Sequence, residues 1–464
     1  MGNKLKIGLI VTGLLEDDYN KTGHLRPKFI QATNDLAKIL STYGEVVNPG
    51  FVEYEPDAER ATQMFNAMNV DLIVVVELAY QKGAIPLRTL LNTHAPILVW
   101  NTQSIRQLSE DANFDVIMLN SGMAGLPELT NGLLRTGRSF RMITSHMTDP
   151  QGLAQISEYA TAAAVVRRLK NARIGVVGHP YEGMTDLMVD QLSLRERLGP
   201  SCWPLEPEAV AIVASNLTAE NVKTVIGEEH RRFQIEDVPP ETFERSVRLA
   251  LALEQVVKDR QFDALAMFEQ AWLSDPRVGI ISNYGAGRLI SNGIPCVPEG
   301  DVPTAVSMLI LQEIAGQSTV VENYVIDFDH DSIMLSHDGT GNPALATGPT
   351  EVRVKPSIYY RGVNGFGAAY EYVYAPGDVT ILSLIALRGG QWRLIVAEGE
   401  SLPMKTRSLC APQMMFRHSS GNIQEYCDRW CSAGASHHMA LAYGKLASKV
   451  SRVGELLGIE VIVV

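Results

Sequence analysis

Two glutamates and a few histidines in the C-terminal part of the chain are the residues best equipped for chemistry. They are Glu299 in PCVPEGD, Glu322 in VVENY, His337 in MLSHDG, and the tandem His437–His438 in GASHHMA. Carboxylate and imidazole are the ligand types that hold a divalent cation such as Mn²⁺ while leaving positions open for water or substrate. A cation flanked by two carboxylates can polarise a hydroxy-carbonyl pair while a proton moves between adjacent carbons. No spacing rule makes these positions converge, and each has a plain structural reading. Glu299, in a Pro-Glu-Gly-Asp turn ahead of TAVSM, could simply cap the following helix, a task that suits Asp301 at least as well. Glu322 lies in the apolar run VVENYVI, where an outward-facing glutamate is common. His337 stands at a strand end, as a turn histidine does. The adjacent pair His437–His438 sits beside Gly434, Ala435 and Ser436, which leave room for a ligand to approach.

The elements that must position these residues follow from hydrophobic periodicity. KIGLIVTG, VDLIVVVEL, APILVWNT and FDVIMLN are near-continuous apolar runs, the mark of strands buried on both faces of a parallel sheet. Between them FIQATNDLAKILSTYG, closed by Gly44, and AERATQMFNAMN repeat with helical spacing. This βαβ rhythm predicts a doubly wound, Rossmann-like α/β domain over residues 1–150. A second α/β domain is expected over 151–318. It holds a helix through ISEYATAAAVVRRLK, the strand ARIGVVGHP, the long helix ETFERSVRLALALEQVVKD after Pro239–Pro240, and the strand FDALAMF. Helices around PRVGIISNYGAGRLISNG and TAVSMLILQEIAG flank the Glu299 loop. From 319 to 464 the texture is β-rich, with alternating runs joined by Gly/Pro/Asp turns, which predicts an antiparallel sheet or small barrel carrying Glu322, His337 and His438. A helix over MALAYGKLASKVSRVGELLG and the strand IEVIVV close the chain.

Composition removes several function classes. The 464 residues are 46% hydrophobic and 20% charged, an ordinary globular balance. A formal net charge of −12 argues against nucleic acid as the main partner, because phosphate neutralisation needs a basic face. No apolar run approaches the ~18 residues of a membrane span. MGNKLKIGLIVTG leads into the polar LLEDDYNKTGH, so it is read as a first strand rather than a signal peptide, and a cytoplasmic location is expected. No GxGxxG follows any strand, so no nucleotide cofactor is expected. Five cysteines do not make a disulfide framework, and Cys427 and Cys431 fit no usual zinc spacing; they are read as helical neighbours packing inward. Arg135, Arg138 and Arg141 recur every third residue and are read as a solvated face.

Along most of its length the chain resembles the L-arabinose isomerase/L-fucose isomerase superfamily, with arabinose isomerase the nearer relative. The opening strand ending in VTG leads to a polar loop with Tyr19, and is followed by PILVWNTQ, VIMLNSGMAGLPELTNGLL, RIGVVGHPYEGMTD and MFEQAW. The most specific part is the order EGDVPTA, VVENY, a His-containing strand and GASHH. The resemblance implies Mn²⁺, or another divalent cation such as Co²⁺ or Zn²⁺, held by Glu299, Glu322, His337 and, from the pair, His438. It implies aldose–ketose isomerisation of a monosaccharide through a cis-enediol, with Glu299 and Glu322 as proton carriers. His437, Met184, Phe268, Tyr19 and Asn120 match positions that face the sugar. It further implies a homo-oligomer, a trimer or hexamer, with active sites at subunit interfaces.

The substrate-facing positions depart from the pattern more than the metal-binding ones. Leu15 and Asp17 stand in the first loop, with Tyr19 one position late; Ser121 replaces a glutamine and Ala124 a histidine. Sugar hydroxyls served by those side chains would be left unpaired, which changes preference strongly. The sugar is therefore left open, and two other readings remain. One is an epimerase or other enediolate enzyme acting on a modified sugar or sugar acid. The other is a non-catalytic sugar-binding protein on the same fold.

Overall fold

A computed structural model describes residues 4–13, 23–358 and 364–464. The chain forms two compact units, residues 1–167 and 168–464, each described by itself.

In the first unit the strands are β1 (Lys6–Thr12), β2 (Glu45–Val47), β3 (Phe51–Val52), β4 (Leu72–Glu77), β5 (Ile97–Asn101) and β6 (Arg141–Thr144). They form one parallel sheet in the order β2-β1-β4-β5-β6, with β3 also on β1. All six residues of β4 are buried, as expected of a strand covered on both faces. Helix Arg26–Leu40 buries Phe29, Thr33, Leu36 and Leu40, one stripe at helical spacing. Strand order reverses between β1 and β4, so the C-terminal ends of those strands flank a switch point.

Three local expectations for this unit are corrected. FDVIM is a short helix, Phe114–Met118, not a strand. The Asn113 side chain accepts the Val116 N–H and starts it, while Phe114 and Ile117 remain exposed, so the two-sided burial a parallel strand requires is absent. The edge strand is β6 instead. Gly44 does not close a helix in left-handed conformation; a Cβ there would lie 2.5 Å from the Leu5 carbonyl oxygen, so it serves a close approach to β1. Arg138 does not share a solvated face. Its guanidinium donates to the carbonyls of Leu90, Thr93 and Ala95, which satisfies backbone acceptors at the end of helix Ala84–Leu91.

The second unit adds β7 (Arg173–Val177), β8 (Ser201–Leu205), β9 (Gln234–Ile235), β10 (Ala264–Met267) and β11 (Cys296–Val297). It continues with β12 (Thr319–Asp327), β13 (Ser332–Ser336), β14 (Arg353–Ile358), β15 (Asn364–Val373), β16 (Gly377–Leu387), β17 (Gln391–Leu402), β18 (Pro412–His418), β19 (His438–Tyr443) and β20 (Glu460–Val463). A four-stranded parallel sheet runs β11-β10-β7-β8. The remaining strands make a mostly antiparallel sheet, β20-β17-β16-β19-β12-β13-β18-β15-β14-β9. Its β17–β18 pairing closes β17, β16, β19, β12, β13 and β18 into a ring. A closed ring leaves those six strands no free edge, and the barrel expected from the alternating texture is present.

HMALAY is a second correction of strand against helix. It forms β19, between β12 and β16, and the closing helix spans only Ala447–Leu457. A short run buried on both faces cannot be told from a helix by periodicity alone. Cys427 and Cys431 lie one turn apart on helix Ile423–Ser432, but Cys431 is exposed rather than packed inward.

Helix Val302–Ala315 buries every residue from Val302 to Leu311 and packs on β10 and β11 as well as β16 and β19. A helix that is apolar all round belongs in a core. Each fully buried Leu, Ile or Met contributes roughly 1.5–3 kcal/mol, so this helix binds the parallel sheet firmly to the barrel.

A candidate metal centre

Strand alternation places the barrel's share of the site. Val321, Leu335, Met414, Met439 and Leu441 belong to one buried apolar cluster. Their neighbours in sequence point to the opposite face. There the register aligns His438, Glu322 and Ser336 across β19, β12 and β13, and His337 follows Ser336 directly. Two of the four candidate ligands thus lie opposite one another on paired strands, and His337 stands one residue past the end of the next strand. The fourth, Glu299, comes from the turn Pro298–Gly300 beyond β11, at the C-terminal edge of the parallel sheet. That edge is where ligands of open α/β sheets bind.

The four meet around one atom. Nε2 of His438 lies 3.1 Å from His337 Nε2, 3.5 Å from Glu299 Oε2 and 3.9 Å from Glu322 Oε1. Glu299, His437 and His438, and again Glu322, His337 and His438, form triads whose donor atoms all lie within 4.8 Å of one another. His438 is fully buried and shared by both triads; His437 is half-buried and belongs to one.

Asp301 orients the shared histidine. Its Oδ2 accepts from His438 Nδ1 at 3.0 Å, while Oδ1 accepts the Thr304 N–H at 2.9 Å and caps helix Val302–Ala315. One buried carboxylate therefore starts the helix and turns His438 Nε2 toward the other candidate ligands, the arrangement by which a second carboxylate fixes a ligating imidazole. The helix-capping role sometimes suited to Glu299 belongs to Asp301.

His437 is held differently. A single oxygen of Asp186, from the turn Thr185–Leu187, accepts Ser436 Oγ–H, the His437 backbone N–H and His437 Nδ1–H at 2.7–3.0 Å. His437 Nε2 faces Glu299 Oε2 at 3.4 Å. Burial alone would lower this imidazole, but the hydrogen bonds to Asp186 and Glu299 overrule it and raise it to about 10. The same hydrogen bond from His437 holds the Asp186 carboxyl well below the usual range. His337 goes the other way. Burial, with the neighbouring His438 adding to it, pushes it down to about 3, so it is neutral. Burial would also lower His438, yet Asp301 raises it. Two imidazole nitrogens 3.1 Å apart must share one proton or both turn lone pairs to a common partner. With two carboxylates alongside, this donor set fits a divalent cation.

Further acids crowd the site. Burial raises Asp338 to about 7, with Glu269, Glu322 and Glu299 adding like-charge repulsion, and burial also raises Glu269. Glu299 itself has φ +61°, in the left-handed region that costs a side-chain-bearing residue about 1–2 kcal/mol.

The other expected site residues fall in several places. Phe268 follows β10 directly, half-buried, stacked on His179 with ring centres 4.6 Å apart and edge-on to Tyr181. Met184, half-buried, precedes the Asp186 turn, and the Tyr181 N–H two residues past His179 donates to the Glu299 carbonyl. Met184 shares its loop with Asp186, and Phe268 packs on that loop through His179 and Tyr181. Asn120 lies in the first unit, where its Oδ1 accepts from Ser104 and Ile105 and its Nδ2 donates to the Val116 carbonyl. Tyr19, with Leu15 and Asp17, lies outside the described residues. The sequence reading missed Asp186 and Glu269, and it saw Asp301 only as a cap. The one available hint was the acid two places after Glu299, before a helix whose first turn leads toward the barrel.

Comparison with known proteins finds likeness to sugar isomerases. Residues 317–460 match the family described as L-arabinose isomerase C-terminal domain. The sulfoquinovose isomerase of Priestia aryabhattai is 22% identical over 409 residues, covering 84% of this chain and 85% of that protein. The L-arabinose isomerase of Erwinia tasmaniensis is 22% identical over 394 residues, covering 80% and 76%, and that of Nocardioides sp. is 23% identical over 391, covering 80% and 75%. The barrel is thus similar to the L-arabinose isomerase C-terminal domain, and most of the chain aligns at low identity with proteins named as sugar isomerases.

Proposed function

We propose that this protein is a metal-dependent aldose–ketose isomerase acting on a monosaccharide. The observation that carries the reading is the convergence of Glu299, Glu322 and His337 on Nε2 of His438. The relatives are named for two sugars, L-arabinose and sulfoquinovose, which favours the reaction class over either substrate. The changed positions Ser121 and Ala124 point the same way.

A bound divalent cation, Mn²⁺ with Co²⁺ or Zn²⁺ as alternatives, supplies polarisation of a carbonyl and its neighbouring hydroxyl. Glu299, Glu322, His337 and His438 would hold it. One glutamate removes the proton on C2 as the other delivers a proton to O1, giving the cis-enediol. The proton then goes to C1 while O2 loses its own, giving the ketose. A carboxylate in hydrogen-bond reach contributes roughly 10²–10⁴-fold as general base. His437, clamped by Asp186, presents an N–H to a sugar oxygen. Phe268 and Met184 form apolar walls, and Tyr19 and Asn120 complete the sugar site from a neighbouring copy in a trimer or hexamer. The same reading divides the chain at 150 and 318 and places the protein in the cytoplasm.

The test is conversion of a panel of neutral, deoxy and acidic aldoses by Mn²⁺-loaded protein, followed by NMR. Wild type should yield a ketose from at least one sugar, while a folded Glu299→Gln protein loses roughly 10²-fold or more of the rate. Undiminished conversion by Glu299→Gln would refute the assignment.

A further inference from the structure

Among the described residues six non-glycines have positive φ, and Glu299 is the one that is buried. Such a conformation persists only where its surroundings over-determine it. Here the backbone is gripped from both sides. The Glu299 N–H donates to Glu269 Oε2 at 2.9 Å, and the Glu299 carbonyl accepts the Tyr181 N–H at 2.9 Å. Gly300 follows at φ +72°, so close to the next loop that a Cβ would lie 2.6 Å from the His179 carbonyl oxygen. The turn cannot slide.

Glu269 is itself fixed. Pairing of Leu265 with Cys296 and Ala266 with Val297 sets Glu269 and Glu299 just past the ends of neighbouring strands. Its carboxylate is buried, with the second oxygen accepting from Gln270 Nε2 at 3.1 Å. Its backbone carbonyl accepts the Ser282 N–H at the start of helix Asn283–Ser291. A buried carboxylate accepting one specific backbone N–H is a built contact, since an unpaired buried donor is costly.

We infer that Glu269 is a positioning residue, whose carboxylate holds Glu299 in the left-handed conformation that turns its side chain toward His438. Its consequence for turnover rests on the isomerase reading; its consequence for the turn does not. Glu269→Gln keeps an acceptor oxygen and the side-chain volume, Glu269→Met keeps only the volume, and Glu269→Ala keeps neither.

The experiment compares these variants in three readouts: the Glu299 φ in crystal structures, Mn²⁺ affinity by titration with the metal alone, and kcat and KM for whichever aldose the wild type converts. Glu269→Met and Glu269→Ala should release the turn from positive φ and weaken Mn²⁺ binding by roughly 10–100-fold, as expected when support for a ligand is lost. Their kcat should fall further than KM rises. Glu269→Gln should retain all three. An unchanged turn with unchanged Mn²⁺ affinity in Glu269→Met, or Glu269→Gln as impaired as Glu269→Ala, overturns the inference. If wild type converts no sugar but the turn relaxes in Glu269→Met, the isomerase reading falls and the positioning role stands. Should melting curves show that Glu269→Met and Glu269→Ala do not fold, Glu269→Gln decides alone, and loss of its positive φ at Glu299 overturns the inference.

Discussion

Glu77 stands at the C-terminal end of β4 in the first unit; Glu269 and Glu299 stand just beyond β10 and β11 in the second. All three are buried acids at the same edge of a parallel sheet, and their surroundings differ sharply. Glu77 Oε1 accepts the Gln81 N–H at 2.9 Å, whereas Oε2 has no hydrogen-bond partner among the described residues. Gly122 and Gly125 press in so closely that a Cβ would lie 1.7 Å from the Glu77 carbonyl oxygen and 1.6 Å from Oε1. Burial raises this carboxyl to about 8, so it is mostly protonated at neutral pH. Glu299 instead meets imidazoles from a second sheet. A buried acid left nearly alone keeps its proton and shapes the backbone around it; a buried acid given histidines is equipped to join a ligand set.

That contrast can be broken at either end. The largest effect on stability is expected from Gly122→Ala, because the clash is with backbone that cannot rotate away; about 3 kcal/mol should be lost in denaturant unfolding. Asp301→Ala strikes the second region. Removing the support of His438 should weaken Mn²⁺ binding roughly 10–100-fold by titration, with loss of the helix cap taking about 1 kcal/mol of stability. Glu77→Gln is the subtlest. The folded carboxyl titrates near 8 and the unfolded one near 4.5, so wild-type stability should fall as pH rises between those values and level off above. The amide does not titrate. Melting curves should therefore show Glu77→Gln gaining on wild type as pH rises from 5 to 9, with the partly unsatisfied N–H₂ adding only a pH-independent offset.

Much of this was legible in the chain itself. Continuous apolar runs gave β1, β4 and β5, and alternating runs gave the β12–β13 and β16–β17 hairpins. FDVIM and HMALAY were misread because five or six apolar residues suit either periodicity, and only their tertiary neighbours decide. The four candidate ligands stood out by residue type and by their neighbouring motifs. Asp186 and Glu269 did not, because each acts through a residue more than 25 positions away, across a strand order that no local pattern shows.

The central claim is that Glu299, Glu322, His337 and His438 hold one divalent cation. Titration of Mn²⁺ into the metal-free protein, followed by the electron paramagnetic resonance of the free ion, tests it most directly. Wild type should take up one ion per chain, and His438→Ala, which removes the nitrogen on which the other three converge, should take up none in the same range. Wild type that leaves the free-ion signal unchanged, or His438→Ala binding as tightly as wild type, would contradict the account.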